Sequence, residues 1–194
     1  MLISLRHWLR LPLVDNIPDG ICCCSARQFP VTLTNDHLLR CKLHGVLTWR
    51  HDQLRRTVRD MAFAAGFIAE EEPRGLPGFG QGGGDILVQG YQEGVDAIAD
   101  ITVINEQRDD VVEQASAQDG HAARTAEAAK RQRYGQACDQ LSMSLLPLAL
   151  EIDGAFGETL MSFLKVCRQR TSDMTKTHPG LLPLLRNIGS SVWP

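Results

Sequence analysis

The sequence predicts an α/β fold: a small mixed β-sheet flanked by helices, with a metal-stapled module at its N-terminal end. Three observations carry this. Residues 82–105, G-G-G-D-I-L-V-Q-G-Y-Q-E-G-V-D-A-I-A-D-I-T-V-I-N, read as two short strands around a Glu-Gly turn. Stretches with helical apolar spacing lie on both sides of them. Four of the six cysteines fall close together near the N-terminus, while Cys138 and Cys167 stand far away. At 194 residues and 43% hydrophobic, the chain suits one ordinary domain with a small appendage.

Residues 1–20 open with a basic, apolar helix over 2–13, ended by Pro12 and the run D-N-I-P-D-G. Its apolar side chains have no partner nearby in sequence. No signal-peptide core interrupts its charges, and no apolar run is long enough to span a membrane.

Residues 21–49 form the module. Cys22 and Cys24 are spaced C-x-C. His37 and Cys41 lie one turn apart on a short helix that Asn35 or Asp36 would cap. Thiolate and imidazole are the donors zinc prefers, and four close a tetrahedral site. Cys22, Cys24, His37 and Cys41 are the expected Zn²⁺ ligands, and Cys23 and His44 are able to substitute. The plainer alternative is a set of reduced, buried cysteines beside a surface histidine.

Residues 50–170 hold the main domain, and the chain from 171 to 194 is expected as a loosely held tail. A helix over 50–67 has Leu54, Val58, Met61 and Ala65 on its apolar stripe and Gly66 at its end. Arg50, Arg55, Arg56 and Arg59 make it basic. His51 leans toward the stripe, to cap the helix or to reach a site. Glu70, Glu71 and Glu72 read as a solvated strand end or a source of one more carboxylate. The Gly/Pro loop after them lacks the Gly-Lys-Ser/Thr of a phosphate-binding loop.

The first strand runs from Asp85 to Tyr91 and the second from Val95 to Asn105. Alternation puts Asp100 and Thr102 on one face, Ile101 and Val103 on the other. Two carboxylates, Asp85 and Asp100, then converge, and burying them calls for a cation. The reading is a divalent-metal site; the alternative is that Asp85 ends the glycine run and Asp100 caps a neighbour or meets solvent. A helical stretch over 109–140, broken at Asp119-Gly120, places Lys130 and Tyr134 on one inward face with Ala122 and Ala126. Lys130 is aimed at the acidic pair or snorkels to water. A strand over 145–152, with Pro147 marking an edge or an end, and a helix over 157–169 complete the chain.

Charge is segregated. Residues 1–60 carry nine Lys and Arg against five Asp and Glu, residues 61–120 two against twelve, and residues 121–194 nine against six. An acidic middle suits a cation and basic flanks suit a polyanion; ordinary surface charge is the bland alternative.

Taken in order, these motifs resemble the restriction-like endonuclease domain, of the PD-(D/E)XK type, that follows the reverse transcriptase of some non-LTR retrotransposons and related proteins. L-R-H-W-L-R-L-P-L resembles the end of the segment after the polymerase. The Cys22, Cys24, His37, Cys41 set resembles the family's zinc knuckle. Arg50-His51-Asp52 is similar to its Arg-His-Asn/Asp signature, Asp85-Ile86 to its first acidic element, and Asp100-Ile101-Thr102-Val103 to its Asp-Val-Thr-Val strand. K-R-Q-R-Y, from Lys130 to Tyr134, resembles its Lys-x-x-Lys/Arg-Tyr helix, and Leu146-Pro147-Leu148-Ala149 with Glu151 and Gly154 its closing strand and turn. Gly84 stands where the nuclease motif usually has proline, and Thr102 where the broad class has lysine; Lys130 on the helix is the expected carrier of that charge.

The resemblance implies a restriction-endonuclease-like core that hydrolyses DNA phosphodiesters. Asp85, Asp100 and the carbonyl after Asp100 would hold Mg²⁺ or Mn²⁺. Lys130 would stabilise phosphate charge, and Tyr134 would contact phosphate or position Lys130. Arg50, His51, Arg55, Arg56 and Arg59, with the zinc knuckle, would hold the nucleic acid. The implied partners are DNA, with RNA second, and a reverse transcriptase domain in the parent protein; the implied location is intracellular, nuclear when active. The alternative is a zinc-containing nucleic-acid-binding module, or a retrotransposon remnant, without chemistry.

Overall fold

The computed structural model of the chain describes residues 20–22, 29–31, 46–79, 84–106, 110–152 and 154–177. In the N-terminal part a short antiparallel ladder joins β1 (Gly20–Cys22) to β2 (Phe29–Val31), with Cys22 opposite Phe29. Cys24, His37 and Cys41, with Cys23 and His44, lie outside the described residues, as do the opening segment and the tail beyond Thr177.

The main domain runs α1 (Val46–Ala64), β3 (Ile68–Glu71), β4 (Ile86–Gln92), β5 (Val95–Ile104), α2 (Val112–Ala117), α3 (His121–Gln140), β6 (Ser144–Glu151), α4 (Glu158–Thr177). The sheet order is β3-β4-β5-β6, antiparallel for the first three strands and parallel between β5 and β6. Local chemistry explains both modes. Glu93 and Gly94 both take positive φ, 50° and 83°, the two-residue hairpin geometry whose twist matches its strands. A parallel neighbour needs a crossover instead, and α2 and α3 supply it.

The faces are covered unequally. Ile86, Val88, Ala97, Ala99, Ile101, Leu146 and Leu148 pack under α1 and α4, where Val58, Ala62, Leu160 and Phe163 meet them. Ile98 packs on the other face with Tyr134, Ala137 and Cys138 of α3 and with Phe79. The central strand β5 is therefore buried on both sides, and its alternation sends Asp100 toward α3 and Ile101 toward α1. A register shift between Val88 and Gln92 is steadied by Asp96 Oδ1, which accepts from the Gly90 N–H at 2.8 Å.

Two elements differ from the sequence expectation. The strand β3 is an edge element of four residues; its Glu71 pairs with Arg59 and Arg55 of α1, and Glu72 beside it pairs with Arg55. Those ion pairs, rather than an apolar pattern, tie it to the helix. Helix α1 ends as expected: Gly66, at φ 77°, lets Phe67 N–H reach Ala62 O at 3.0 Å and its own N–H reach Phe63 O at 2.9 Å. The final helix, in contrast, continues to Thr177 where a loose tail was expected from Thr171. Its last turns are held by α1: the Thr171 hydroxyl donates to Ala64 O at 3.2 Å, Arg170 lies 4.1 Å over the Phe67 ring, and Met174 packs against Gly66.

Two buried glutamates fasten the crossover. Glu151 Oε1 accepts the Ala123 N–H at 3.1 Å, in the first turn of α3. Glu127, 1% exposed, accepts the Thr159 N–H at 3.0 Å, the Thr159 hydroxyl at 3.0 Å and the Leu160 N–H at 3.4 Å, in the first turn of α4. The first N–H groups of a helix have no partner within it, and a carboxylate there also meets the positive end of the helix dipole. Gly157 has no side chain because a Cβ there would collide with the Glu127 carboxylate. Among the described residues, no helix is long and apolar enough to cross a membrane.

Two thiols of the main domain, Cys138 and Cys167, are sealed in this packing. Burial pushes Cys138 up to about 11 and Cys167 up to about 12. Iodoacetamide at pH 8, read by peptide mass mapping, is expected to leave both unmodified in the native protein and to label both in denaturant; native labelling of either would contradict the packing.

Candidate active site

The site forms where β4 begins beside the middle of β5. Gly84 sets up the first carboxylate. Its φ is 85°, and a Cβ there would collide with Ile98. Proline, fixed near −65°, cannot take this conformation; glycine is the residue this backbone requires. Asp85 follows, its N–H donating to Ala99 O and its own carbonyl accepting from the Glu72 N–H, both at 2.9 Å. Its side chain turns to β5, where Oδ2 accepts the Ile101 N–H at 2.5 Å.

The second carboxylate is Asp100, 7% exposed. Lys130 Nζ reaches its Oδ2 at 2.6 Å from the middle of α3. The ammonium is the counter-charge of that buried oxygen, for which the described residues offer no second donor. Burial pushes the Asp100 carboxyl above the usual carboxylate range; Lys130 opposes that shift and the charge of Asp85 adds to it. Asp85 just before β4, Asp100 on β5 and Lys130 on α3 thus lie in one region.

His51 is the residue whose place the sequence reading underrated. It does not cap α1. Its Nε2 lies 3.2 Å from the Ile101 carbonyl oxygen and 3.3 Å from Asp85 Oδ2. Both partners are acceptors, which assigns the proton to Nε2. The hydrogen bond to Asp85 pushes the imidazole above its ordinary value; burial opposes this, while the charge of Asp85 and the Ile101 carbonyl assist.

Tyr134 is a positioning residue. It is buried, stacked on Phe79 at 5.0 Å between ring centroids, and its face carries Lys130 Nζ at 5.6 Å and Arg133 at 4.9 Å. A cation over an aromatic face is attracted by the ring quadrupole, so the ring steers both side chains. Arg133 lies over the same ring as Lys130. The arginines of α1 behave differently from expectation. Arg55 pairs with Asp52, Glu71 and Glu72, and Arg59 with Asp60 and Glu71. Arg56 is exposed, and Arg50 is partly buried, with burial lowering its pKa. Glu71 and Glu72 of the acidic triplet therefore answer α1. Glu127 was not foreseen as structural; its place as a lone glutamate among the alanines of 122–129 was its only signal.

Among the described residues no three side chains of His, Cys, Asp or Glu are grouped to enclose a metal ion by themselves. The oxygen donors in this region are two carboxylates and a main-chain carbonyl, with Lys130 Nζ 2.6 Å from the buried Asp100 Oδ2. Hard oxygen donors in that number suit Mg²⁺ or Mn²⁺, which keep several waters in their shell. The residues fit such an ion.

No protein-family model matches the chain, and a search of curated proteins returns no match.

Two consequences are measurable. Lys130→Ala leaves Asp100 buried without a counter-charge and is expected to cost about 3 kcal/mol in urea denaturation; adding Asp100→Asn should recover most of that loss. Gly84→Ala meets both an unfavourable φ and the Ile98 side chain and is expected to cost about 2 kcal/mol. A Gly84→Ala protein as stable as wild type would contradict the geometry before Asp85.

Proposed function

We propose that the chain is a metal-dependent DNA endonuclease domain of the restriction-like PD-(D/E)XK type, derived from a reverse-transcriptase protein of a non-LTR retrotransposon. The observation that carries this reading is the convergence of Asp85, Asp100, the Ile101 carbonyl and Lys130 from separate elements. The mixed four-stranded sheet with helices on both faces agrees with the restriction-endonuclease-like core that the sequence resemblance implies.

The reaction is hydrolysis: a water oxygen bonds to phosphorus, the ester P–O bond breaks, and a nick with a free 3′ end remains. Asp85, Asp100 and the Ile101 carbonyl are the groups that would hold Mg²⁺ or Mn²⁺. Such an ion, when bound, supplies Lewis acidity toward a phosphoryl oxygen and makes water a better nucleophile. Lys130 brings a positive charge to the phosphate as charge builds on its oxygens, and Tyr134 keeps that ammonium on its ring face. Arg133 and exposed Arg56 are available to backbone phosphates, whereas Arg55 and Arg59 are already paired with carboxylates. The Zn²⁺ proposed for Cys22, Cys24, His37 and Cys41 rests on their spacing alone.

One observation favours a second reading, a nucleic-acid-binding module without chemistry: Lys130 already neutralises Asp100 at 2.6 Å, as a purely structural pair would. Nicking of supercoiled plasmid with Mg²⁺ or Mn²⁺ separates the two. Under the nuclease reading wild type nicks, and Asp100→Ala and Lys130→Ala lose at least about a hundredfold in rate, the scale of removing one electrostatic contact to the reacting group. A folded wild type that binds DNA without nicking it would establish the binding module instead.

A further inference from the structure

His51 sits on the same two oxygens that the proposed cation needs. Its Nε2–H faces Asp85 Oδ2 at 3.3 Å and the Ile101 carbonyl at 3.2 Å. The Ile101 peptide is thereby held at both ends, its N–H by Asp85 and its C=O by His51. Lys130 does the same for the third oxygen, Asp100 Oδ2, from the opposite face of the sheet. A magnesium ion demands oxygen at roughly 2.0–2.1 Å in near-octahedral directions. An N–H aimed at those lone pairs occupies the directions the ion requires. His51 comes from α1, and Asp85 and Ile101 from the sheet, so the imidazole can withdraw by a side-chain rotation that leaves both strands in place. It is partly exposed, with Asp52 Oδ1 3.9 Å from Nδ1 on its outer side.

We infer that His51 is a positioning residue that holds Asp85 Oδ2 and the Ile101 carbonyl together in the metal-free protein, gives up that contact when a divalent cation binds, and so sets the cation affinity of the site. The inference rests on the metal-site reading of Asp85 and Asp100 and adds the group that competes with the ion. It concerns affinity and readiness of the site, and His51 itself is given no contact with substrate.

The test is calorimetric titration of the full chain with Mn²⁺, which hard oxygen donors take in preference to thiolates. Wild type, His51→Ala, His51→Gln and Asp85→Ala are compared. His51→Ala is expected to bind about tenfold more tightly, the equivalent of releasing one hydrogen bond to a charged group. His51→Gln retains an N–H donor of similar reach and is expected to stay near wild type, which a merely space-filling role would not require. Unchanged or weaker binding by His51→Ala, with wild-type binding that Asp85→Ala abolishes, overturns the inference. Absence of Mn²⁺ binding in wild type and His51→Ala alike, or binding indifferent to Asp85→Ala, overturns the metal-site reading instead. A measurement on wild type alone covers the case in which His51→Ala does not fold. The His51 Nε2–H proton resonance, assigned by its absence in His51→Gln, is followed during Mg²⁺ titration. Loss or movement of that signal supports the inference, and an unchanged signal at saturating Mg²⁺ overturns it.

Discussion

Asp100 stands on the central strand of a four-stranded sheet, with apolar neighbours along the same strand and a helix across its face. A carboxylate at that depth is costly to ionise unless positive charge is close. Lys130 supplies it, and the requirement fixes more than one pair. Lys130 must emerge from α3 toward the sheet, so the helix must cross β5 at one height and one rotation. Tyr134, one turn later, must lie under the ammonium. Phe79 must then fill the space against the ring. A single buried charge thus constrains the helix, its aromatic support and the loop before β4.

The rotation of α3 is fixed independently by a second set of contacts. Glu127 lies three residues before Lys130, roughly one turn away, and both its oxygens are engaged by the first turn of α4. Glu151 holds the start of α3 itself. The helix that carries the ammonium is clamped by Glu151 at its own start, by Glu127 to the start of α4 and by one cationic contact to the sheet. This arrangement gives Lys130 a placement that its long, flexible side chain alone would not have.

Much of this was legible in the sequence because it obeys local periodicities. The hairpin from Ile86 to Ile104 follows from alternation and from Glu93-Gly94; the inward turn of Lys130 follows from a four-residue step through Ala122, Ala126 and Tyr134. What escaped had no local period. The short strand β3 is acidic, and its reason for being a strand lies in Arg55 and Arg59, more than ten residues earlier. The last turns of α4 look polar in isolation and are stable because Thr171 and Met174 meet the end of α1. His51 carried the same ambiguity: its distance in sequence from Asp85 and Ile101 hides a contact that only the packing of α1 on the sheet creates. Buried Glu127 reads as a solvent-facing residue until Thr159 and Gly157 are seen around it.

The two outer strands give the sheet one more property. On one side β3 offers only four residues, beside carboxylates already claimed by α1. On the other, β6 carries Pro147, which has no N–H to offer. Neither margin is a good template for another strand, so the domain is guarded against the sheet-to-sheet polymerisation that open sheets invite. A protein or polynucleotide that associates with it must therefore be met by side chains on helices and loops, where the basic groups of α3 already stand.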